Sequence, residues 1–246
     1  MNIIRSLLFY VLFITISLLY LPQFLIARYI FRDDTLIKTI THSWAYYLLL
    51  LARKVLKITY EFKNIELITK ASCPVIIASK HQSMWEAFAF FHEFGNNTIG
   101  TMKKELRHYP LINIIAPAIK AIPIDRKGGL DTLQNLIKES KKRIAEGYNI
   151  CIFPEGQRTP IDKTGEYKAG LFLLYKQLKV PVVTVALNSG LYWPARSFIK
   201  KKGHITAVVT GIIDPGLSQE VFQEKMMELI ERPSQELSRT NNTTNG

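Results

Sequence analysis

Cysteine is scarce in this chain of 246 residues. Only Cys73 and Cys151 are present, neither in a CxxC pair nor beside clustered histidines. That excludes a disulfide framework and a cysteine-based zinc site, and it points to a reducing compartment. Glycine-rich phosphate loops are missing as well: the chain has neither G-x-x-x-x-G-K nor G-x-G-x-x-G. Without a G-x-S-x-G elbow, an acyl-enzyme on serine or cysteine has little support. His92-Glu93 opens like a zinc-protease helix, but Asn96 stands where the second histidine belongs. No repeat of roughly 20–50 residues is visible, so a solenoid is not expected. Acidic residues are outnumbered, 20 Asp plus Glu against 32 Lys plus Arg, for a net charge of +12. A basic chain suits an anionic partner, whether nucleic acid, anionic lipid or a phosphorylated substrate. No nucleic-acid-binding module accompanies the charge, and the apolar N-terminus argues against that partner.

Apolar residue types, by contrast, make up 48% of the chain. Residues 6–27 run for 22 positions without a formal charge. As a helix this stretch would extend roughly 33 Å, about the hydrocarbon thickness of a bilayer. A signal peptide would need a more basic start and a small-residue cleavage site, whereas Arg28 and Arg32 follow directly. Membrane association is therefore expected. Pro22 interrupts the run, and a second apolar stretch at residues 44–52 is too short to cross. Trp44, Tyr46 and Tyr47 at its one end, with Arg53, Lys54 and Lys57 at the other, suit a helix at the interface. Spanning the bilayer and dipping as a helical pair into one leaflet both remain open readings.

Beyond Lys57 short β-rich runs alternate with amphipathic stretches. Residues 58–62, 75–79, 119–124, 149–153, 182–187 and 205–212 read as strands, and 130–146, 168–178 and 218–230 as helices, with Gly147 capping the first of these helices. Strands separated by helices imply an α/β layer fold. The division expected is residues 1–57 as membrane-associating helices, 58–239 as a catalytic domain and 240–246 as a disordered polar tail.

Charged and polar residues gather where the apolar runs end. His81-Gln82-Ser83-Met84-Trp85-Glu86 follows the run 75–79, at the strand end where open α/β sheets place their sites. With His81 just outside a helix that Gln82 or Ser83 caps, Glu86 can fold back onto imidazole Nδ1 and leave Nε2 free as a base. A lone histidine is, however, more often a satisfied structural residue. Phe153-Pro154-Glu155-Gly156-Gln157-Arg158-Thr159 puts a carboxylate, a permissive glycine and a phosphate-matching guanidinium within four residues, though a solvated turn with a local Glu–Arg pair would look the same. Ile122-Pro123-Ile124-Asp125-Arg126 and Met102-Lys103-Lys104-Glu105-Leu106, the latter in a turn-like context, are bland taken singly. Lys141-Lys142-Arg143 and Lys200-Lys201-Lys202 read as surface or lipid-facing charge.

Taken in order, these blocks resemble the glycerolipid acyltransferase family, the bacterial 1-acyl-glycerol-3-phosphate acyltransferases most of all. That family shows His-x-x-x-x-Asp, a phosphate-binding Arg after a short strand, Phe-Pro-Glu-Gly-x-Arg-Ser/Thr and an apolar Val-Pro strand. The corresponding blocks here are 81–86, 122–126, 153–159 and 180–188, with Glu86 in place of the usual Asp. The resemblance implies a mixed central sheet flanked by helices behind an N-terminal apolar helical membrane motif. It implies His81 as general base and Glu86 as its orienting partner; Arg126 and Arg158, helped by Lys104, on the substrate phosphate; and Glu155, with Gly156, at the glycerol backbone. The implied substrates are lysophosphatidic acid and acyl-carrier protein or acyl-CoA, and the implied place is the cytoplasmic face of the inner membrane. No metal or cofactor is implied. The other readings are the same chemistry on glycerol 3-phosphate or another lysolipid, and a non-catalytic basic protein bound to phospholipid membranes.

Overall fold

The structure, a computed structural model, describes residues 1–243 apart from residues 72, 126, 162, 164–166 and 168. In chain order its elements are α1 (Asn2–Leu25), α2 (Asp34–Leu51), β1 (Ile58–Lys63), α3 (Glu66–Thr69), β2 (Ile76–Ser79), α4 (Trp85–Phe94), β3 (Thr98–Lys103), α5 (Pro110–Ala118), β4 (Ile122–Ile124), α6 (Gly129–Ala145), β5 (Asn149–Ile152), α7 (Ala169–Leu178), β6 (Val182–Leu187), β7 (Gly203–Ile213), α8 (Gln219–Met226) and α9 (Arg232–Thr243).

The strands form one mixed sheet in the order β1-β7-β6-β2-β5-β3-β4. β2 to β6 run parallel; β7 is antiparallel to β6, and β1 is parallel to β7. The central strands are buried on both faces, which is why they read as unbroken apolar runs. Alternation sends Ile77, Cys151, Val183 and Val185 to one side, and Ile76, Ala78, Ile150, Ile152 and Val182 to the other. The first side is covered by α1, α2, α4 and α5; the second by α6, α7 and α8. All five parallel strands therefore end on one edge, where the polar blocks begin.

The N-terminal elements share the first of these cores. α1 continues past Pro22 and through a π-helical turn, Ile26–Phe31, so the proline does not end the helix as its position suggested. Arg32 then adopts φ 52°, and Asp33 caps α2 by accepting from the backbone N–H of Thr35 at 2.7 Å and Leu36 at 3.1 Å. α2 is twice the length of its apolar stretch because its first half is polar outside and packed inside. Phe9 meets Trp193 edge-on at 5.1 Å, and Trp44 meets Phe88 at 5.6 Å. The opposite face of α1 leaves Ile4, Leu7, Val11, Ile14, Leu18 and Leu19 exposed. By length and composition, Asn2–Phe31 is long and apolar enough to cross a membrane.

Three further differences have local causes. Strand β3, which the turn-like reading of residues 102–106 misses, contains Gly100 and has no long apolar run; its pairing with β5 and β4 makes it a strand. The run 119–124 is strand only from Ile122, because Ile119 and Lys120 close α5 with backbone bonds to Ile115 and Pro117. α8 continues through a π-helical turn into α9, which reaches Thr243, so the helix enters the tail expected to be disordered; residues 244–246 lie outside those described. Gly147, at φ 87°, stands just beyond α6 as expected, its N–H donating to Ile144 O.

Candidate active site

β2 delivers His81 to the polar edge. Lys80 N–H still pairs with Val185 O, and then the chain leaves the sheet. α4 starts four residues later, with Ser83 Oγ accepting from Trp85 N–H at 2.9 Å. Glu86 thus lies in the first turn of α4 and reaches back, its Oε2 2.9 Å from His81 Nδ1. The carboxylate is wholly buried. It also accepts the Ser83 N–H at 2.9 and 3.0 Å and the Ser189 hydroxyl. The free N–H groups at the helix start favour an anion there. A carboxylate at Nδ1 requires the proton on that nitrogen, so Nε2 is left as an acceptor. The imidazole stacks on Phe153, centroids 3.9 Å apart and planes within 16°. That fixes the ring from its face while Glu86 fixes it from its edge. The extra methylene of Glu86, relative to Asp, is taken up without loss of this bond.

The block at the end of β5 grips the same loop. Glu155 Oε1 accepts His81 N–H at 2.9 Å, and Thr159 N–H donates to His81 O at 2.8 Å. Gly156 makes the turn possible with φ 64°, its N–H bonded to Phe153 O at 2.9 Å. Glu155 is only 3% exposed, and its other oxygen lies 3.4 Å from the Lys80 ammonium. Its carboxylate therefore faces protein partners, where the resemblance placed it against substrate. Burial pushes its pKa up, and the nearby Lys80 charge acts against that. Lys80 is itself buried and donates to Glu231 Oε1 at 2.7 Å, from the π-helical turn before α9.

Arg158, exposed, lines a cavity of about 450 Å³ beside Met84, three residues beyond His81. Lys104 lies elsewhere on the polar edge, past β3, 65% exposed and 3.7 Å from Asp125 Oδ2. Arg126, the residue after that aspartate, lies outside the described residues. His81, Glu86, Glu155 and Gly156 are thus brought together directly and Arg158 adjoins them. Lys104 has Asp125 as its partner. Sequence reasoning missed Lys80, Ser189 and Glu231. Lys80 had one visible signal, a cation written into an otherwise buried strand end. Among the described residues no three His, Cys, Asp or Glu side chains are grouped closely enough to share a metal ion.

A base held by a buried carboxylate at the carboxyl ends of parallel strands, with a guanidinium in an adjoining cavity, can deprotonate a hydroxyl next to an anionic group. Comparisons with known proteins place the chain among acyltransferases. The chain is 33% identical over 170 residues to a 1-acyl-sn-glycerol-3-phosphate acyltransferase of Pseudomonas aeruginosa, a match covering 69% of this chain and 65% of that protein. It is 25% identical over 118 residues to the human 1-acyl-sn-glycerol-3-phosphate acyltransferase alpha, covering 48% of this chain and 42% of that protein. The chain therefore spans less than two thirds of the length of these relatives. Its fold is similar to the crystal structure of the 1-acyl-sn-glycerophosphate (LPA) acyltransferase PlsC of Thermotoga maritima, with a TM-score of 0.75 at 20% identity over 96% of this chain and 99% of that one. The family model described as Acyltransferase matches residues 59–188, more than half of the chain and all three site blocks from His81 to Thr159, and the protein belongs to that acyltransferase family.

Proposed function

We propose that the chain transfers an acyl group from acyl-carrier protein or acyl-CoA to the sn-2 hydroxyl of lysophosphatidic acid, giving phosphatidic acid. The observation that carries this reading is the His81–Glu86 pair, 2.9 Å apart, with the carboxylate wholly buried. His81 Nε2 takes the hydroxyl proton as the oxygen attacks the thioester carbonyl. The tetrahedral intermediate then collapses, and the departing thiolate recovers that proton from the imidazolium, whose charge Glu86 stabilises. Holding hydroxyl and thioester together supplies much of the remaining acceleration. Arg158 binds the acceptor phosphate, assisted by Arg126 and Lys104. Glu155 acts through the His81 backbone, as a positioning residue. The exposed apolar face of α1 rests on the cytoplasmic side of the inner membrane, where both acyl-bearing substrates are found.

The test is formation of phosphatidic acid by the detergent-purified protein, with lysophosphatidic acid, glycerol 3-phosphate and other lysolipids as acceptors and both thioesters as donors. Lysophosphatidic acid is expected to be the best acceptor; a clear preference for another would overturn the assignment.

Neither cysteine of the protein has a part in this scheme. Cys151 is buried, its thiol pushed up to about 12 first by burial and then by the Glu86 charge, while Cys73 is exposed. Iodoacetamide applied to the folded protein should alkylate Cys73 alone, by mass spectrometry, and leave turnover unchanged. Inactivation tracking with alkylation would contradict direct transfer.

A further inference from the structure

The loop between β6 and β7 carries two cations, Arg196 and Lys200, that line the same 450 Å³ cavity as Arg158. That lining contains no carboxylate, and none of the three cations has an ion-pair partner among the described residues. Lys200 is only 4% exposed. Its ammonium donates to Ser197 O and, at 3.3 Å, to Pro194 O, which leaves one of three N–H groups for a ligand. It lies 5.8 and 5.9 Å from the ring centroids of Tyr10 and Trp193. Burial first, and then the charge of Arg158, push its pKa down to about 8. Like charges gathered without a counter-charge in a half-enclosed space are unfavourable until an anion enters.

The wall of the cavity identifies the kind of anion. Tyr10 of α1 stacks on Phe198 at 4.9 Å, and Ser6 Oγ accepts the backbone N–H of Lys200 at 2.8 Å. The cavity therefore abuts the helix whose outer face is exposed and apolar. An amphiphile can place its head among the cations while its chain stays along α1. We propose that Arg196 and Lys200 join Arg158 on the acceptor's phosphate, in addition to the cations named above, and that this added charge selects a phosphate monoester over a phosphodiester head. The inference rests on the acyltransferase reading above. A monoester carries about −1.5 to −2 charge near neutrality and exposes three acceptor oxygens, so a third cation favours it over a singly charged diester.

The test is steady-state kinetics in mixed micelles, with lysophosphatidic acid and lysophosphatidylglycerol as parallel acceptors. Arg196 is exposed, so Arg196→Gln is expected to fold normally. It should raise KM for lysophosphatidic acid about tenfold, the loss of one charge-assisted hydrogen bond, with kcat and the donor KM unchanged. The preference for lysophosphatidic acid over lysophosphatidylglycerol should fall by the same factor. Lys200→Met should act in the same direction and Lys200→Arg should restore the preference, which a purely structural lysine would not do. An unchanged acceptor KM in Arg196→Gln overturns the proposal, as does a rise in the donor KM alone, which would put the donor's phosphate in the cavity. Failure of the wild-type protein to acylate any acceptor counts against the acyltransferase reading. The pocket is then judged by equilibrium binding of micellar lysophosphatidic acid, where equal binding by wild type and Arg196→Gln overturns it.

Discussion

Replacing His81 by alanine is expected to lower kcat by roughly 10²–10⁴-fold, the range that general-base assistance contributes, with little change in KM for either substrate. The imidazole is at the rim of the site, its side chain 17% exposed, and its main structural contacts run through its backbone N–H and C=O. Those survive the substitution, while Glu86 loses its imidazole partner and Phe153 its stacked ring, so the thermal midpoint should fall, though less than in Glu86→Gln. Glu86→Gln should be the more destabilising. The buried carboxylate accepts from Ser83 N–H, the Ser189 hydroxyl and imidazole Nδ1 together, and an amide offers only one oxygen to these donors. Both turnover and stability should fall, because a buried donor left without a partner costs about 1–3 kcal/mol. A His81→Ala variant retaining wild-type kcat in the phosphatidic acid assay would remove the histidine from the mechanism.

The second large effect is expected one residue before His81, in the buried charges behind the imidazole. Lys80→Met removes a cation that stands between two buried carboxylates, 2.7 Å from Glu231 and 3.4 Å from Glu155. Breaking a buried ion pair on one side costs about 3–5 kcal/mol, since the remaining charges have no counterpart. The variant should melt well below the wild type. It should also lose activity, because Glu155 is the residue that secures the His81 backbone N–H. Adding Glu155→Gln and Glu231→Gln to Lys80→Met should recover most of the lost stability, as neutralising the whole network removes the stranded charge. Thermal melts of the single and triple variants check this; a single variant as stable as the wild type would show that the network is solvated in the working enzyme.

The contrast between these residues explains what could be read from the chain. His81 and Glu86 are five positions apart, so a strand end followed by a helix start suffices to bring them together. Gly156 belongs to an equally local turn, its N–H bonded to Phe153 O. Ser189 is 103 residues from Glu86 and Glu231 is 151 from Lys80, and only the order of strands in the sheet places them side by side. No periodicity carries that order. β3 was hidden for a related reason. Thr98–Lys103 has a glycine in its middle and little apolar character at its end, and parallel neighbours on both sides stabilise it as a strand. Burial on two faces, by contrast, wrote β2, β5 and β6 plainly into the sequence as apolar runs. The depth of Glu155 cannot be seen from spacing: a carboxylate beside a glycine reads the same whether it faces solvent or a lysine.

The aromatic packing of α1 and α2 against the sheet has a practical consequence. Phe9, Phe24 and Trp44 interlock with Phe88 and Trp193 in one continuous core, and Ser6 bonds the loop that carries Lys200. Trimming this apolar segment to obtain a water-soluble fragment would strip the cover from Trp193 and Phe88 and leave a sticky, partly opened remnant. Purification strategies should accordingly shield the outer face of α1 with amphiphile and keep the helix itself, because its inner face is part of the core and of the cavity that Arg158 lines.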